Sequence, residues 1–423
     1  MMDDLSKAEM LLEGKLSMID YICDTANKDM GGSEYPSDLC YWETVRDAHK
    51  NGKKLVLTNG PVPLEIIYAL DCIPLCLDLL PSHISQNEKL TAKFINDAET
   101  RANASLCSLQ KTNAGVLLAN SLGLEPDAYL AVPIACDSAR AACQEVERYI
   151  KVPSLQFDIP MRRDEGGARY IGMQFDMFLG FMEKISGKKL DWESVKYRMA
   201  LYNRSAKLLK ECSELRMNRP CPLSSHTTVW NELMNAMGPT EEMAKLLEAE
   251  IDLCKERADT GKGPCPDGEK HRVLLLHNLL WQTAGITSAL EKDFGAVTVA
   301  DGYCFGAREI FTDPDNKQAC VDIMCRRIQS GSMAHGAEVS SEKLLDSVGT
   351  LLRDYEPDVL ILLGNRGCRH VWAGTKMLSD SVQARYSIPM LMLDVDNTDF
   401  RYKSEGEIKT AISEYMDTVV NKK

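Results

Sequence analysis

The chain has 423 residues, 44% hydrophobic and 26% charged, the proportions of a globular protein rather than a fibrous or largely disordered one. At roughly 150 residues per domain it can build about two to three domains with substantial cores. Forty-nine Lys and Arg against 62 Asp and Glu leave a net charge of −13; such a surface repels phosphate backbones and anionic headgroups, so neither a nucleic-acid nor a membrane partner is expected.

The longest apolar stretches, such as AYLAVPIAC ending at Cys136, fall short of the ~20 residues of a membrane span. The opening MMDDLSKAEMLLEGKL is acidic and amphipathic where an export signal would be basic and then continuously apolar, which implies a cytoplasmic protein. Its 15 cysteines are then expected to stay reduced, as core residues, metal ligands or redox groups.

In chain order, residues 1–50 read as a helical lead-in that ends at the Asn51-Gly52 turn. KLVLTNG (54–60) reads as a strand and PVPLEIIYAL (61–70) as the helix behind it. Helical periodicity covers about Glu88 to Asn120, and PDAYLAVPIA (126–135) is the all-apolar run of a strand buried on both faces. From about Gly166 to Arg257 the pattern is helical throughout. TGKGPCPDGEK (260–270), rich in Gly and Pro, reads as a surface linker. Alternation resumes with RVLLLHN (272–278), a helix to Phe294 and AVTVADGY (296–303). The expected organisation is therefore a lead-in (1–50), a first α/β domain (51–165), a helical insertion (166–262) and a second α/β domain (263–423).

An internal repeat supports that division. PDAYLAVPIACDSARAACQEVERYIKVPSLQFDIP, from Pro126 to Pro160, parallels PDVLILLGNRGCRHVWAGTKMLSDSVQARYSIPMLMLDVD, from Pro357 to Asp396. Asp127 precedes Cys136 by nine residues and Pro153 precedes Asp158 by five; Asp358 precedes Cys368 by ten and Pro389 precedes Asp394 by five. Each copy reads as strand, Cys-bearing loop, helix, Pro, strand, so each domain is expected to carry a parallel sheet joined by right-handed crossovers. Cys136 and Cys368 then fall just past the carboxyl ends of buried strands, where open α/β sheets place ligands. Cys107, in SLCSLQKTNAG, opens a helix whose dipole favours a thiolate. Three such thiolates converging would suit a metal cluster; taken singly, any of the 15 reads as a small buried hydrophobe. No C-x-x-C pair occurs, so a cluster must be assembled from distant segments.

These segments resemble the 2-hydroxyacyl-CoA dehydratase family, which includes benzoyl-CoA reductase subunits and double-cubane cluster proteins. The likeness runs from about Lys54 to Met416 and is carried by NGPVPLEIIYALDCIP, LCSLQKTNAG, IACDSARAACQEVERYIKVPSLQFDIP, HRVLLLHNLLW, NRGCRHVWAG and IPMLMLDVDNTDFR. The resemblance implies two flavodoxin-like (Rossmann-like) α/β domains with added helices, and a four-iron four-sulfur cluster held by Cys107, Cys136 and Cys368. It implies further that an open iron acts on a thioester carbonyl while one electron passes, so that a ketyl radical expels the neighbouring hydroxyl and water is lost. Arg366 and Arg369, flanking Cys368, become candidates to place positive charge beside cluster or substrate, with a solvated salt bridge as the alternative. Glu65 matches an acidic position of the family motif and would orient substrate or move a proton; its plainer role is to complement a helix dipole. Asp78 and His83 depart from the family pattern and receive no role, and Asp71 stands where glycine is common. His226, His271 and His335 read as surface or core residues. Cys304, Cys320 and Cys325 would serve a larger double-cubane (8Fe-9S) cluster, though the pair in CVDIMC reads first as core-facing. GFMEKISGKKL has the wrong spacing for a P-loop; the resemblance implies as partners a separate ATP-dependent iron-sulfur activator, an acyl-CoA substrate and a homologous second subunit or a second copy of the chain. The alternatives are an ATP-dependent reductase subunit or a non-catalytic electron-relay or scaffold subunit.

Overall fold

The computed structural model describes residues 4–25, 37–85, 87–133, 136–160, 164–276, 283–302, 308–330 and 341–422. The lead-in supplies α1 (Asp4–Leu12), α2 (Met18–Thr25) and α3 (Ser37–Arg46). The first lobe follows as β1 (Lys54–Asn59), α4 (Leu64–Ala69), β2 (Cys72–Cys76), α5 (Leu80–Ile84), α6 (Glu88–Glu99), α7 (Ser108–Leu118), β3 (Ala128–Ala131), α8 (Asp137–Ile150) and β4 (Ser154–Gln156). Four helices come next: α9 (Glu165–Ser186), α10 (Trp192–Leu215), α11 (Ser225–Asn235) and α12 (Glu241–Thr260). The second lobe comprises β5 (His271–Leu276), α13 (Thr283–Phe294), β6 (Ala296–Asp301), α14 (Lys317–Ser330), α15 (Ser341–Tyr355), β7 (Val359–Asn365), α16 (Arg369–Tyr386), β8 (Met390–Val395) and α17 (Glu405–Tyr415).

Both sheets are four-stranded and all-parallel, ordered β2-β1-β3-β4 and β6-β5-β7-β8. Counted from its own first strand each is 2-1-3-4, the flavodoxin-like order, with a switch point between its first and third strands. The repeat read from the sequence is thus a repeat of structure. One residue before the third strand, Asp127 accepts the Leu55 N–H at 2.8 Å and Asp358 accepts the Arg272 N–H at 2.6 Å, each bolting its switch-point pair together. His49 and His271 lie against those same carboxylates at 2.8 and 3.0 Å. Past each crossover helix, Lys151 and Ser387 take the left-handed conformation that ends α8 and α16, at φ 53° and 56°.

Two local expectations differ from the structure. The helical periodicity read over about Glu88 to Asn120 is interrupted between α6 and α7, and Cys107 stands at the start of α7, as its sequence suggests. The strand β2 carries no strand signature in the sequence, because CIPLC is short and contains Pro74. Among the described strands it lies at the edge of the sheet, paired with β1, where a residue without an N–H is tolerated. Its free side is covered by the lead-in: the Tyr41 hydroxyl donates to the Pro74 carbonyl at 3.1 Å and accepts the Cys76 N–H at 3.0 Å, so the edge is not left open to another strand.

One face of each sheet contributes to a shared inner core: Leu55 and Leu57 from the first, Leu274, Leu276, Leu360 and Leu362 from the second, with the lead-in, α10 and α12 between. The other face of the first sheet (Val56, Ala128, Leu130) packs with α9, α10 and α14. The other face of the second sheet (Val273, Leu275, Ile361, Leu363) packs with α13 and α17. The helix α14 therefore sits between β6 and β7 in the chain but buries Cys320, Ile323, Met324, Cys325 and Ile328 against the first lobe. No helix among the described residues is long and apolar enough to cross a membrane.

Candidate metal centre

Cys107, Cys136 and Cys368 each occupy the residue immediately before a helix, at the starts of α7, α8 and α16. All three are half-buried and free. Cys136 follows β3 and Cys368 follows β7, so both lie at the carboxyl edges of switch-point strands, one from each lobe. Cys107 touches both of their loops. Its N–H donates to the Ser138 hydroxyl at 3.1 Å, and its sulfur accepts the Asn365 Nδ2–H at 3.2 Å. Gly367 lies so close that a Cβ built there would stand 3.0 Å from the Cys107 Cα, which is why the residue before Cys368 has no side chain. Cys136 sulfur accepts the Ala139 N–H of its own helix at 3.2 Å.

The electrostatics agree with this convergence. Burial pushes the Cys107 thiol up to about 12, and the neighbouring Cys136, Asp396 and Cys368 push in the same direction. Burial also raises Cys136, partly offset by the Ala139 N–H, with Cys368 again a contributor. In both thiols burial outweighs the lowering by backbone N–H groups at the helix start. A bound cation reverses that balance, because a coordinating thiol is deprotonated outright. Among the described residues no three His, Cys, Asp or Glu are gathered tightly enough for a single metal ion. The three cysteines are soft donors of the type iron-sulfur clusters take, each at a helix N-terminus.

Around the thiols the lobes are stitched together. Ser108 hydroxyl donates to Asp396 in a buried hydrogen bond, and Asp396 also accepts the N–H groups of Thr398 and Asp399 at 3.2 and 2.9 Å. Arg369 crosses to Asp137 at 3.1 Å, joining the first residues of α16 and α8 in a pair whose side chains are 84% and 74% exposed. Arg366 stacks its guanidinium 3.9 Å over the Tyr402 ring, and the Tyr402 hydroxyl donates to Asp394 at 2.7 Å. Its counterpart in the repeat, Asp158, accepts the Tyr170 hydroxyl at 2.9 Å.

Glu65 is brought to a different partner. It is fully buried in the first turn of α4, where one oxygen accepts Arg327 of α14 at 2.5 Å and the other has no hydrogen bond among the described residues. Arg327 in turn lies 3.5 Å over the Tyr202 ring. Asp78, which has no role on sequence grounds, ends beside the first-lobe loop: it accepts Asn59 Nδ2 and the Gly60 N–H, both at 2.7 Å, and burial raises its pKa. His83 takes the Trp42 indole N–H at 3.0 Å within the core. Asp71 adopts the left-handed conformation at φ 63° that glycine would have supplied, held by Lys53 and by Lys188. His271 holds the Asp358 carboxylate, and burial lowers the pKa of His226. Cys320 and Cys325 are buried core residues; Cys304 and His335 lie outside the described residues. Sequence reasoning misses Asn365, Asp396 and Ser138 as site residues, although all three fall inside the motifs that carry the family resemblance.

Comparison with known proteins gives a consistent answer. The family described as "2-hydroxyglutaryl-CoA dehydratase, D-component" matches residues 61–419. The (R)-phenyllactyl-CoA dehydratase alpha subunit of Clostridium sporogenes is 23% identical over 305 residues, 70% of this chain and 72% of the relative. A benzoyl-CoA reductase subunit of Thauera aromatica is 22% identical over 415 residues, 90% of this chain and 92% of the relative. The alpha subunit of the (R)-2-hydroxyglutaryl-CoA dehydratase of Acidaminococcus fermentans is 23% identical over 309 residues, 70% of this chain and 60% of the relative.

Proposed function

This chain belongs to the 2-hydroxyglutaryl-CoA dehydratase D-component family, and from that premise we propose that it is the iron-sulfur subunit of a 2-hydroxyacyl-CoA dehydratase. In this reading Cys107 and Cys136 of the first lobe and Cys368 of the second hold a four-iron four-sulfur cluster, and the complex removes water from a 2-hydroxyacyl-CoA after one-electron activation. When bound, such a cluster supplies a low-potential electron and a Lewis-acidic iron. The observation that carries the reading is the position of Cys107, whose backbone and sulfur touch the loops of both other cysteines at once.

The chain's own residues set the surroundings. Three helix N-termini favour negative charge where the sulfurs lie. Arg366, with its guanidinium on Tyr402, offers a cation two residues from Cys368 for an anionic substrate or cluster. Asp78, beside the first-lobe loop and raised by burial, is a carboxyl able to carry a proton near pH values where an exposed aspartate is ionised. Glu65, tied to Arg327, acts on substrate only if that pair opens; otherwise it holds α4 to α14. The partners in this reading are a homologous subunit or a second copy of the chain, since its relatives are themselves named as subunits of larger enzymes, and a separate ATP-dependent iron-sulfur activator.

A reductase subunit is the second reading, favoured by the benzoyl-CoA reductase relative, which matches 90% of this chain against 70% for the two dehydratase subunits. The larger double-cubane cluster is the less favoured form, because Cys320 and Cys325 are turned into the first-lobe core. Iron and acid-labile sulfide counted after anaerobic purification should give about four of each per chain. Serine at Cys107, Cys136 or Cys368 should each abolish the brown chromophore, whereas serine at Cys212 or Cys254 should leave it. About eight irons would favour the double-cubane form, and full iron in a Cys368→Ser variant would defeat the ligand assignment. Water loss from a 2-hydroxyacyl-CoA, set against reduction of an aromatic acyl-CoA, separates the two enzyme readings.

A further inference from the structure

We infer that Asn365 is a positioning residue for this centre: its carboxamide gives a hydrogen bond to the Cys107 sulfur, fixing that ligand across the lobe boundary and setting how readily the bound cluster accepts an electron. This rests on the cluster reading above. Asn365 is the last residue of β7 and is fully buried. Its Nδ2 lies 3.2 Å from Cys107 Sγ, and its Oδ1 accepts the Gly367 N–H at 3.1 Å. The second bond decides the orientation of the amide, because only the oxygen can accept from a backbone N–H; the NH2 must then face the sulfur.

The residue has little freedom to do otherwise. Its backbone pairs with Val395 of β8, and its carbonyl accepts the Trp372 indole N–H at 3.1 Å. That indole is itself packed on Gly364, where a Cβ would stand 2.4 Å from the ring. The first lobe has no equivalent: the residue three before Cys136 is Pro133, with neither an amide side chain nor an N–H. The Asn365 donor to the Cys107 sulfur comes from the second lobe, so this bond exists only while the lobes are together.

A hydrogen bond to a ligating sulfur draws off part of its negative charge. The reduced cluster carries one more electron than the oxidised one and gains more from that withdrawal, so the bond raises the reduction potential. Asn365→Asp is the informative change, since it keeps an oxygen for the Gly367 N–H while replacing the donor with a negative acceptor. Asn365→Ala removes the donor without adding charge.

The test is redox titration of the anaerobically purified full-length protein, followed by its visible absorbance, with iron content and melting measured alongside. With iron retained, the midpoint should move to more negative potential in Asn365→Ala and further in Asn365→Asp. Loss of iron from both variants with unchanged melting would also support the inference, by showing that Cys107 is out of place without its partner. An unchanged midpoint with full iron in both would overturn it and leave the cluster reading standing. Wild-type protein without iron would instead defeat the cluster reading, and this inference with it.

Discussion

In the first lobe the connection from β2 to β3 runs through α5, α6 and α7 and returns Cys107 to the carboxyl edge of its own sheet. The corresponding connection of the second lobe, from β6 to β7, sends α14 away to pack on the first lobe, where Arg327 reaches Glu65. The strand order, the switch-point aspartates and the crossover helix after the Cys-bearing loop are common to both. The difference lies in the one long connection that the 2-1-3-4 order leaves unconstrained in length. One lobe uses it to deliver a thiol and the other to fasten the lobes together. A repeated fold thus fixes where a site can form, and its longest crossover decides what is brought there.

The largest effect should come from breaking that fastening. Arg327→Ala leaves the Glu65 carboxylate buried, with its ion-pair partner gone and its second oxygen without a hydrogen bond among the described residues. An orphaned buried charge costs about 3–5 kcal/mol, so thermal melting should fall by many degrees. The double change Glu65→Met with Arg327→Met removes both charges and should recover most of the loss. If Arg327→Ala melts like wild type, α14 is not the fastening described above.

The sequence makes part of this comparison legible and hides the rest for physical reasons. Asp127, Cys136, Pro153 and Asp158 stand out against Asp358, Cys368, Pro389 and Asp394 because strand, loop and crossover are local units whose lengths survive in residue spacing. The strand β2 is hidden because an edge strand needs neither a long apolar run nor a full set of N–H groups, and Pro74 reads as a breaker. The docking of α14 on the first lobe has no local signature: Arg327 and Glu65 are 262 residues apart. The same holds for Asn365 and Cys107, 258 residues apart, and for Ser108 and Asp396, 288 apart. Helical periodicity says which face of α14 is apolar and nothing about which sheet receives it.

A smaller effect should separate the two switch-point aspartates. Asp127 is 20% exposed and holds the Leu55 N–H, Lys54 and His49; Asp358 is 52% exposed and holds the Arg272 N–H and His271. Hydrogen bonds to a charged group contribute about 1.5–3 kcal/mol when shielded and less in water, so Asp127→Ala should lower the melting temperature more than Asp358→Ala. The pH dependence follows from Asp127. Burial alone would raise its pKa, but hydrogen bonds from Lys54, His49 and the Leu55 N–H win and hold it below the usual value of 3.8. A carboxylate whose folded pKa is depressed stabilises fully above its unfolded pKa and loses that contribution as pH falls through the folded one. Wild type should therefore lose stability below about pH 4, and Asp127→Asn should flatten that acid limb. Equal losses in the two alanine variants would mean the lobes are bolted alike, contrary to their burial.

The smallest change in stability, and the sharpest use of the comparison, is at the pair that spans the two crossover helices. Arg369 and Asp137 are 3.1 Å apart but 84% and 74% exposed, and exposed pairs contribute about 0–1 kcal/mol. Neither Arg369→Ala nor Asp137→Ala should move the melting temperature appreciably. The two variants nonetheless differ in what they leave at the mouth of the site: the first removes a cation beside Cys368, while the second leaves Arg369 in place without its partner. If the arginine acts through its charge on an anionic substrate, turnover falls in Arg369→Ala and holds or rises in Asp137→Ala, most visibly at low ionic strength, where screening is weak. If the pair acts by holding the lobes, both variants lose turnover together. Equal losses would therefore assign Arg369 to fastening, alongside Arg327, and leave Arg366 as the arginine beside Cys368 whose charge serves the site.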